Sequence, residues 1–286
     1  MIPSSFDYVK ASSVDEAVSA LVAGGEDAKV LGGGQSLLPV LRLRLNAPSV
    51  LVDVSGVDEM RQVADEGTSI FVGAAVTTYE VMHNDLVTTH VPLLAQTAAL
   101  VADPAIRHRG TFGGSCTHAD PSGDMPTVAR ALDADFVVAG PGGRRTVAAA
   151  DFFVDFFTTA VGPDEVLVAV RLPKMAGWGA HYEKFHRTAQ AWAIVGVAAA
   201  LRVEGGTVAE ARVALTNMGA TPIRATSVET GLIGGPASEQ AYAAAAESAA
   251  EGTSPTTDVH ADAEYRRHLA RVLTGRALTK AAAQHP

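Results

Sequence analysis

Cysteine is nearly absent from this sequence. Cys116 is the only one among 286 residues, so the chain cannot close a disulfide within itself. Iron–sulfur clusters and cysteine-ligated zinc sites need several thiolates, and one thiolate cannot build either. The sequence therefore excludes a disulfide framework and a cysteine-ligated cluster built by this chain alone.

A surplus of positive charge is also missing. Lysine and arginine number 22 against 31 aspartates and glutamates, which gives a formal net charge of −9. Proteins that bind nucleic acid or an anionic membrane present a basic face to it. We therefore expect neither nucleic acid nor a lipid surface as a direct partner of this chain.

Long apolar runs are missing as well. Residues 1–6 have neither the basic start nor the long apolar stretch of a signal peptide, and no later run is long and charge-free enough to cross a bilayer. Hydrophobic residues make up 48% of the sequence, enough for two or three domains with their own cores. These features predict a globular protein of the cytoplasm.

Hydrophobic spacing predicts a mixed α+β chain. Helical spacing and capping patterns predict helices over residues 13–24, 92–102, 240–251 and 263–283. Short apolar runs predict strands over residues 28–31, 50–54, 69–74, 136–139, 145–147, 191–203 and 209–215. Residues 103–126, rich in glycine, histidine and aspartate, are expected to form a long functional loop. A change in composition after Pro173 predicts a separate C-terminal domain.

Two glycine-rich loops carry the main functional signal. They are Gly32-Gly33-Gly34-Gln35-Ser36 and Thr111-Phe112-Gly113-Gly114-Ser115. Backbone N–H groups can surround a diphosphate where missing side chains let the chain come close, and Ser36 adds a hydroxyl donor. The spacing is not that of the dinucleotide fingerprint, because Leu37 stands at its last glycine position. Each loop alone is also compatible with a plain tight turn.

The residues around both loops resemble the flavin-binding signature of the molybdenum hydroxylases. Residues 106–126 read I-R-H-R-G-T-F-G-G-S-C-T-H-A-D-P-S-G-D-M-P, against the usual I-R-N-x-G-T-I-G-G-N-x-x-x-A-D-P-x-x-D-x-P. Residues 32–39 are similar to the family's A-G-G-[HQ]-S-L-x-P. Residues 182–197, 215–225 and 264–267 look like the C-terminal domain of flavoprotein subunits of the carbon monoxide dehydrogenase type.

This resemblance implies a fold and a division of labour. It implies a two-subdomain FAD-binding fold of the vanillyl-alcohol-oxidase (PCMH) type over residues 1–57 and 58–173, followed by a C-terminal α+β domain over residues 174–286. The family's medium subunit holds FAD noncovalently. A small subunit holds two [2Fe–2S] clusters, and a large subunit holds the molybdenum cofactor. The single cysteine agrees with that division.

The resemblance also implies which residues hold FAD. Both glycine loops would bind the pyrophosphate, with hydrogen bonds from Thr111 and Ser115. The complete set is Gly32, Gly33, Gly34, Gln35, Ser36, Thr111, Phe112, Gly113, Gly114, Ser115, Asp124, Leu167, Lys184 and Trp192. No catalytic residue and no metal ligand is expected in this chain.

Four members of that set match family positions outside the loops. Asp124 matches an aspartate near the ribityl chain, and Lys184 a lysine near the flavin ring. Trp192 falls where the family has an aromatic residue beside the isoalloxazine, and a large ring there would stack on the flavin. Leu167 matches a position that approaches the flavin through its backbone.

The function implied is electron transfer within a complex. Electrons would pass from the partner's [2Fe–2S] clusters through FAD to a quinone, cytochrome or other acceptor, in a dimer of heterotrimers that meets a membrane only peripherally and through the complex. Oxidation of the primary substrate would take place in the large subunit. Carbon monoxide, oxidised with water to carbon dioxide, is the first expectation. The same subunit in an N-heterocycle or aldehyde hydroxylase is the alternative.

Two further alternatives stay open at this point. A stand-alone metal-dependent hydrolase could use His118, Asp120 and Asp124, since an imidazole and two carboxylates are plausible metal ligands. A self-contained flavin oxidase would turn over without partners. A Cys116–His118 nucleophile pair is unfavourable, because a lone cysteine is more often a buried hydrophobe.

Overall fold

A parallel sheet of three short strands opens the fold in a computed structural model, which describes residues 2–284. The strands are β1 (Asp7–Lys10), β2 (Ala28–Leu31) and β3 (Val50–Asp53), with β3 in the middle. The first helix, α1 (Val14–Gly24), begins where the Ser13 side chain accepts a hydrogen bond from the Glu16 N–H. The first glycine loop follows β2 directly and leads into α2 (Leu37–Arg42).

An antiparallel sheet of five strands comes next. The chain supplies β4 (Val63–Asp65), β5 (Ser69–Gly73), β6 (Asp135–Gly140), β7 (Gly143–Ala148), a separate hairpin of β8 (Phe153–Asp155) and β9 (Thr158–Thr159), and then β10 (Val166–Pro173). The five sheet strands lie in the order β4–β5–β10–β6–β7. The central β10 is buried along most of its length. The predicted hairpin is present, with β6 and β7 paired from Asp135↔Ala148 to Gly140↔Gly143.

The stretch expected to be one long loop, residues 103–126, is mostly helical. The helices of this part of the chain are α3 (Thr78–His83), α4 (Asp85–His90), α5 (Pro92–Ala99), α6 (Pro104–Arg107), α7 (Phe112–His118), α8 (Asp124–Ala131) and α9 (Ala149–Phe152). The side chains of Asp103 and Thr111 cap α6 and α7 by accepting from backbone N–H groups. Helix propensity does not predict α7, because glycine is unfavourable in a helix and tertiary packing decides the conformation there.

A second antiparallel sheet, of four strands, forms the C-terminal part. Its strands are β11 (Gly179–Phe185), β12 (Val195–Glu204), β13 (Thr207–Thr216) and β14 (Ile223–Arg224), in that order. The helices are α10 (Thr226–Leu232), α11 (Glu239–Ala246) and α12 (Ala263–Ala283). The last helix has the predicted bounds, whereas the strand expected from residue 191 begins at Val195.

The four-stranded sheet is buried on both faces. Along β12, Ala198 and Ala200 belong to the core beneath the first two sheets, whereas Val197, Ala199 and Leu201 belong to a second core under α12. Alternation of this kind follows from the two-residue repeat of a strand. The boundaries at 57/58 and 173/174 stay predictions. Within residues 2–284, no helix is long and apolar enough to cross a membrane.

Candidate functional site

The two glycine loops line one large cleft. Its volume is about 1070 Å³, above the range of about 300–1,000 Å³ usual for small-molecule pockets, so a dinucleotide can be accommodated. Every residue of the predicted FAD set lines this cleft except Phe112. The Phe112 ring is fully buried in the core instead, and its N–H donates to the Val76 carbonyl.

Close approach of the loops to each other requires glycine at one position. A Cβ atom on Gly33 would lie 1.9 Å from the Arg109 carbonyl oxygen, just before the second loop. Gly34 has φ +73°, which favours glycine for a different reason. From the sequence, these glycines are expected to let a ligand come close to the backbone. The structure shows that Gly33 also permits the second loop to reach the first.

The first loop offers backbone donors to the cleft. Among the hydrogen bonds of residues 2–284, none uses the N–H groups of the run Gly33–Ser36. Four consecutive donors that line a cleft and have no protein acceptor fit an anionic group such as a diphosphate. This part of the site therefore suits the pyrophosphate of FAD.

The second loop uses its backbone donors differently. The N–H of Gly113 donates to the Ala74 carbonyl over 3.1 Å, and the N–H of Gly114 donates to the Thr111 hydroxyl over 3.0 Å. These bonds fix the start of α7 against the turn after β5. Thr111 and Ser115 of this loop also line the cleft, and each carries a side-chain hydroxyl. The first loop therefore has more free backbone N–H groups to offer a diphosphate than the second loop.

A buried ion pair lies on the wall of the same cleft. Lys184 Nζ is 2.6 Å from an Asp124 carboxylate oxygen, and the two side chains are 2% and 4% exposed. The Lys184 ammonium also donates to the Leu100 carbonyl over 3.1 Å. Asp124 opens α8 and Lys184 lies on β11, so the pair connects the FAD-loop half of the chain to the C-terminal sheet.

Hydroxyl groups extend this pair into the core. Tyr182 Oη donates to Asp124 over 2.8 Å and lies 2.8 Å from the Thr216 hydroxyl, which in turn donates to Thr127 over 2.7 Å. A Cβ atom on Gly196 would lie 2.4 Å from Tyr182 Oη, so glycine is needed there to leave room for the network. The sequence alone did not predict the roles of Tyr182, Thr216, Thr127 and Gly196. The only available signal was that Tyr182 precedes Lys184 by two, the spacing of one strand face.

Burial and charge act in opposite directions on Asp124. Burial raises the pKa of this carboxyl, while the Lys184 ammonium, the Tyr182 hydroxyl and the more distant His186 lower it. The pKa of Tyr182 is raised well above its usual value by burial and by the neighbouring Asp124 charge. Tyr182 is therefore a hydrogen-bond donor at neutral pH, and it supports the ionised form of Asp124.

Arg107 holds another part of the cleft wall. Its guanidinium donates to the carbonyls of Val101 and Ala102, over 2.8 and 3.2 Å. Both of these residues line the cleft, and Ala102 has φ +42°. Arg107 lies within residues 106–126, but its position in the sequence did not predict this structural role.

Trp192 and Leu167 approach the cleft in contrasting ways. The Trp192 side chain is 56% exposed and follows a turn in which the Ala191 N–H donates to the Thr188 carbonyl. Leu167 is buried on β10, beside an irregularity in its pairing with β6. Leu167 therefore meets the cleft as part of a rigid sheet, whereas Trp192 stands on a surface segment.

The metal-site alternative does not fit this geometry. His118 and Asp120 approach no closer than 4.0 Å, and burial lowers the pKa of His118. The Asp124 carboxylate is already bonded to Lys184 and Tyr182. Across residues 2–284 no three histidine, cysteine, aspartate or glutamate side chains are grouped so as to hold a metal.

The nucleophile alternative fails for a related reason. Cys116 is fully buried, and burial raises the pKa of its thiol. A thiol that stays protonated and out of contact with solvent is not a nucleophile. Neither alternative built on residues 116–124 is supported by the structure.

Two protein-family models together match nearly the whole chain. Residues 4–175 match "FAD binding domain in molybdopterin dehydrogenase", and residues 180–281 match "CO dehydrogenase flavoprotein C-terminal domain". The predicted α+β fold, an FAD-binding part followed by a C-terminal flavoprotein domain, is confirmed.

Individual relatives align with this chain over nearly their full lengths. The carbon monoxide dehydrogenase medium chain of Hydrogenophaga pseudoflava is 40% identical, with 98% of each chain covered. The 6-hydroxypseudooxynicotine dehydrogenase complex subunit alpha of Paenarthrobacter nicotinovorans is 37% identical, with 98% of this chain and 96% of that protein covered.

A solved structure gives the same result. Carbon monoxide dehydrogenase from Hydrogenophaga pseudoflava superposes with a TM-score of 0.97 at 41% identity, covering 100% of both chains. The family models, the sequence identities and this superposition all point to one group of flavoproteins. The chain belongs to the FAD-binding medium subunits of the molybdenum hydroxylases, of the carbon monoxide dehydrogenase type.

Proposed function

We propose that this chain carries noncovalent FAD in the cleft between its glycine loops and acts as the electron-transfer subunit of a carbon monoxide dehydrogenase. The observation that carries the proposal is the set of four unpaired N–H donors at Gly33–Ser36, in a cleft that also contains Lys184 and Trp192. FAD, when bound, accepts electrons singly or in pairs and passes them on.

In this arrangement the chain's own residues bind and orient the cofactor. The Gly33–Ser36 donors and the hydroxyls of Ser36, Thr111 and Ser115 would hold the pyrophosphate. Phe112 would act indirectly, because its buried ring anchors the second loop in the core. The loops thereby fix one end of FAD and leave its ring to be placed by other residues.

The remaining members of the set would place the flavin ring. Asp124 and Lys184 would lie near the ribityl chain and the ring, with their charges paired and shielded from solvent. Trp192 would stack on the isoalloxazine, and Leu167 would approach it through the backbone. Because the Lys184 ammonium is neutralised by Asp124, the pair would position the ring without adding net charge beside it.

We infer the primary substrate from the relatives that this chain resembles. Carbon monoxide dehydrogenase medium chains are 40% and 37% identical to this chain. An N-heterocycle remains the second candidate, since the structure of quinoline 2-oxidoreductase from Pseudomonas putida 86 superposes with a TM-score of 0.95. Assaying the purified complex with carbon monoxide and with quinoline separates the two candidates.

The chain would work in a complex, as the names of its relatives indicate. We propose a small subunit with two [2Fe–2S] clusters and a large subunit with the molybdenum cofactor, assembled as a cytoplasmic dimer of heterotrimers. A quinone or cytochrome would take the electrons. The chain's single cysteine is consistent with clusters held by a partner.

A visible absorption spectrum with cofactor analysis tests the proposal. The complex, purified with the partners it is co-expressed with, should contain one FAD per copy of this chain. Reduction of that flavin by carbon monoxide should stop when the large subunit is left out. A folded complex without flavin would refute the FAD assignment, and flavin reduction by quinoline alone would replace carbon monoxide as the substrate.

A further inference from the structure

The segment that carries Trp192 is anchored at its C-terminal end. Ala193 and Ile194 are buried, at 2% and 6% exposure, although Trp192 beside them is 56% exposed. The Ile194 N–H donates to the Phe185 carbonyl at the end of β11 over 2.8 Å. The backbone therefore passes from a surface position into the core within two residues.

Among the described residues 2–284, Asn217 is one of two whose side chains donate hydrogen bonds to this anchor. Its Nδ2 donates to the carbonyls of Ala193 and Ile194, over 2.9 and 3.3 Å. The residue follows β13 and has φ +61°, a conformation that asparagine adopts more readily than most residues. Its own N–H donates to the Pro121 carbonyl over 2.8 Å, which ties this corner to the stretch between α7 and α8.

Arg266 is the second. It lies in the first turn of α12 and is fully buried, and its guanidinium donates to the Ile194 carbonyl. A second guanidinium nitrogen is 2.6 Å from the Asp258 carboxylate, while Nε has no partner among the described residues 2–284. Burying a guanidinium costs desolvation energy that an apolar side chain would avoid. The hydrogen bond to the Ile194 carbonyl is a structural role that an apolar side chain at this position could not fill.

We propose that Arg266 and Asn217 are positioning residues for the FAD site: by fixing the peptide groups of Ala193 and Ile194, they set the direction in which Trp192 faces the cleft. This inference rests on the proposed function. An aromatic side chain on an unanchored segment would lose conformational freedom when it stacks on a ligand. The anchor removes part of that loss before FAD binds.

Asn217→Gly tests this with little disturbance of the backbone. Glycine keeps the left-handed conformation and the N–H bond to Pro121, but it removes both Nδ2 donors. Asn217→Asp is a second variant, which keeps the size and the backbone preference and cannot donate. Trp192→Leu provides the reference for a flavin without its aromatic neighbour. Asp133→Gly is the matched control, because Asp133 has φ +51° and bonds Arg224 away from the cleft lining.

The readouts are FAD affinity by equilibrium dialysis and flavin fluorescence of the holoprotein, purified with its partners. Both Asn217 variants should weaken FAD binding about fivefold to tenfold. They should also raise flavin fluorescence toward the Trp192→Leu level, since contact with the indole quenches it. Asp133→Gly should change neither.

Three results would overturn the inference. One is unchanged fluorescence in folded Asn217→Gly protein when Trp192→Leu raises it, and another is unchanged fluorescence in Trp192→Leu itself. An equal loss of affinity in Asp133→Gly would also overturn it, because the effect would then be general loosening. A parent protein without flavin would instead contradict the proposed function.

Discussion

Gly33 packs against the residues just before the second glycine loop, and an added Cβ atom would lie 1.9 Å from the Arg109 carbonyl oxygen. Gly33→Val should therefore separate the loops and lose FAD. Gly142→Val is the matched control, since a Cβ atom at Gly142 meets nothing within 4 Å. Flavin content per folded chain measures both. Full flavin occupancy in Gly33→Val would contradict the loop assignment.

The Asp124–Lys184 pair yields a prediction about pH. Lys184→Met leaves a buried carboxylate without its ammonium partner, which should destabilise the chain by about 3–5 kcal/mol at pH 7. Adding Asp124→Asn should restore much of that stability, because the unpaired charge is gone. Denaturant unfolding of the single and double variants gives the difference.

The burial of Asp124 determines how the stability of Lys184→Met changes with pH. Burial raises the pKa of Asp124 above its unfolded value, and the Met variant also lacks the opposing ammonium, so the folded state takes up the proton more readily. The stability of Lys184→Met should therefore rise relative to the double variant as pH falls through the folded pKa. A gap between the two variants that stays constant from pH 7 to acid would contradict the assignment. Tyr182 and His186 also influence the pKa of Asp124, so neither residue is mutated in the single or the double variant.

For single residues, the sequence predicted which residues line the cleft better than it predicted the contacts that they make. Thirteen of the fourteen predicted residues line one cleft, and Phe112 is the exception. Tyr182, Thr216 and Thr127 were missed because they come from two strands and a helix that only the folded chain brings together. No spacing rule links residues so far apart in sequence.

Helix α7 illustrates the next scale, that of single elements. Its Gly113 packs against the turn after β5, and an added Cβ atom would lie 2.3 Å from the Ala74 Cβ. Gly113→Ala should cost about 1–3 kcal/mol of stability through overpacking. Gly275→Ala in α12 has its nearest neighbour at 3.7 Å and should instead gain up to about 1 kcal/mol, as alanine does over glycine in a helix. Thermal or denaturant unfolding distinguishes the two, and equal effects would contradict the packing argument.

Elements with a regular pattern were predicted well. The Ala263–Ala283 helix has the bounds expected from the sequence, because Asp262 caps it and alanine favours it throughout. The helices between residues 103 and 126 were expected to be a loop. Gly113 and Gly114 allow close contacts with Ala74 and Thr111, and helix propensities do not take such tertiary contacts into account.

For the whole molecule, the C-terminal sheet joins the two cores. One face of β12 packs on the core of the first two sheets and the other packs under α12. Lys184 lines the cleft from this C-terminal part and pairs with Asp124 of α8, so both halves of the chain build the cleft wall. Composition indicated that cofactors beyond FAD belong to partners, because one cysteine cannot ligate a cluster.

The central claim is that this chain is the flavin carrier of its complex. The direct measurement is the amount of FAD released on denaturing the purified complex, for the parent protein and for Gly33→Val in this chain alone. We predict one FAD per copy of this chain in the parent and a flavin-free but assembled complex in the variant. Equal flavin content in both complexes, or no flavin in an assembled parent complex, would contradict the account.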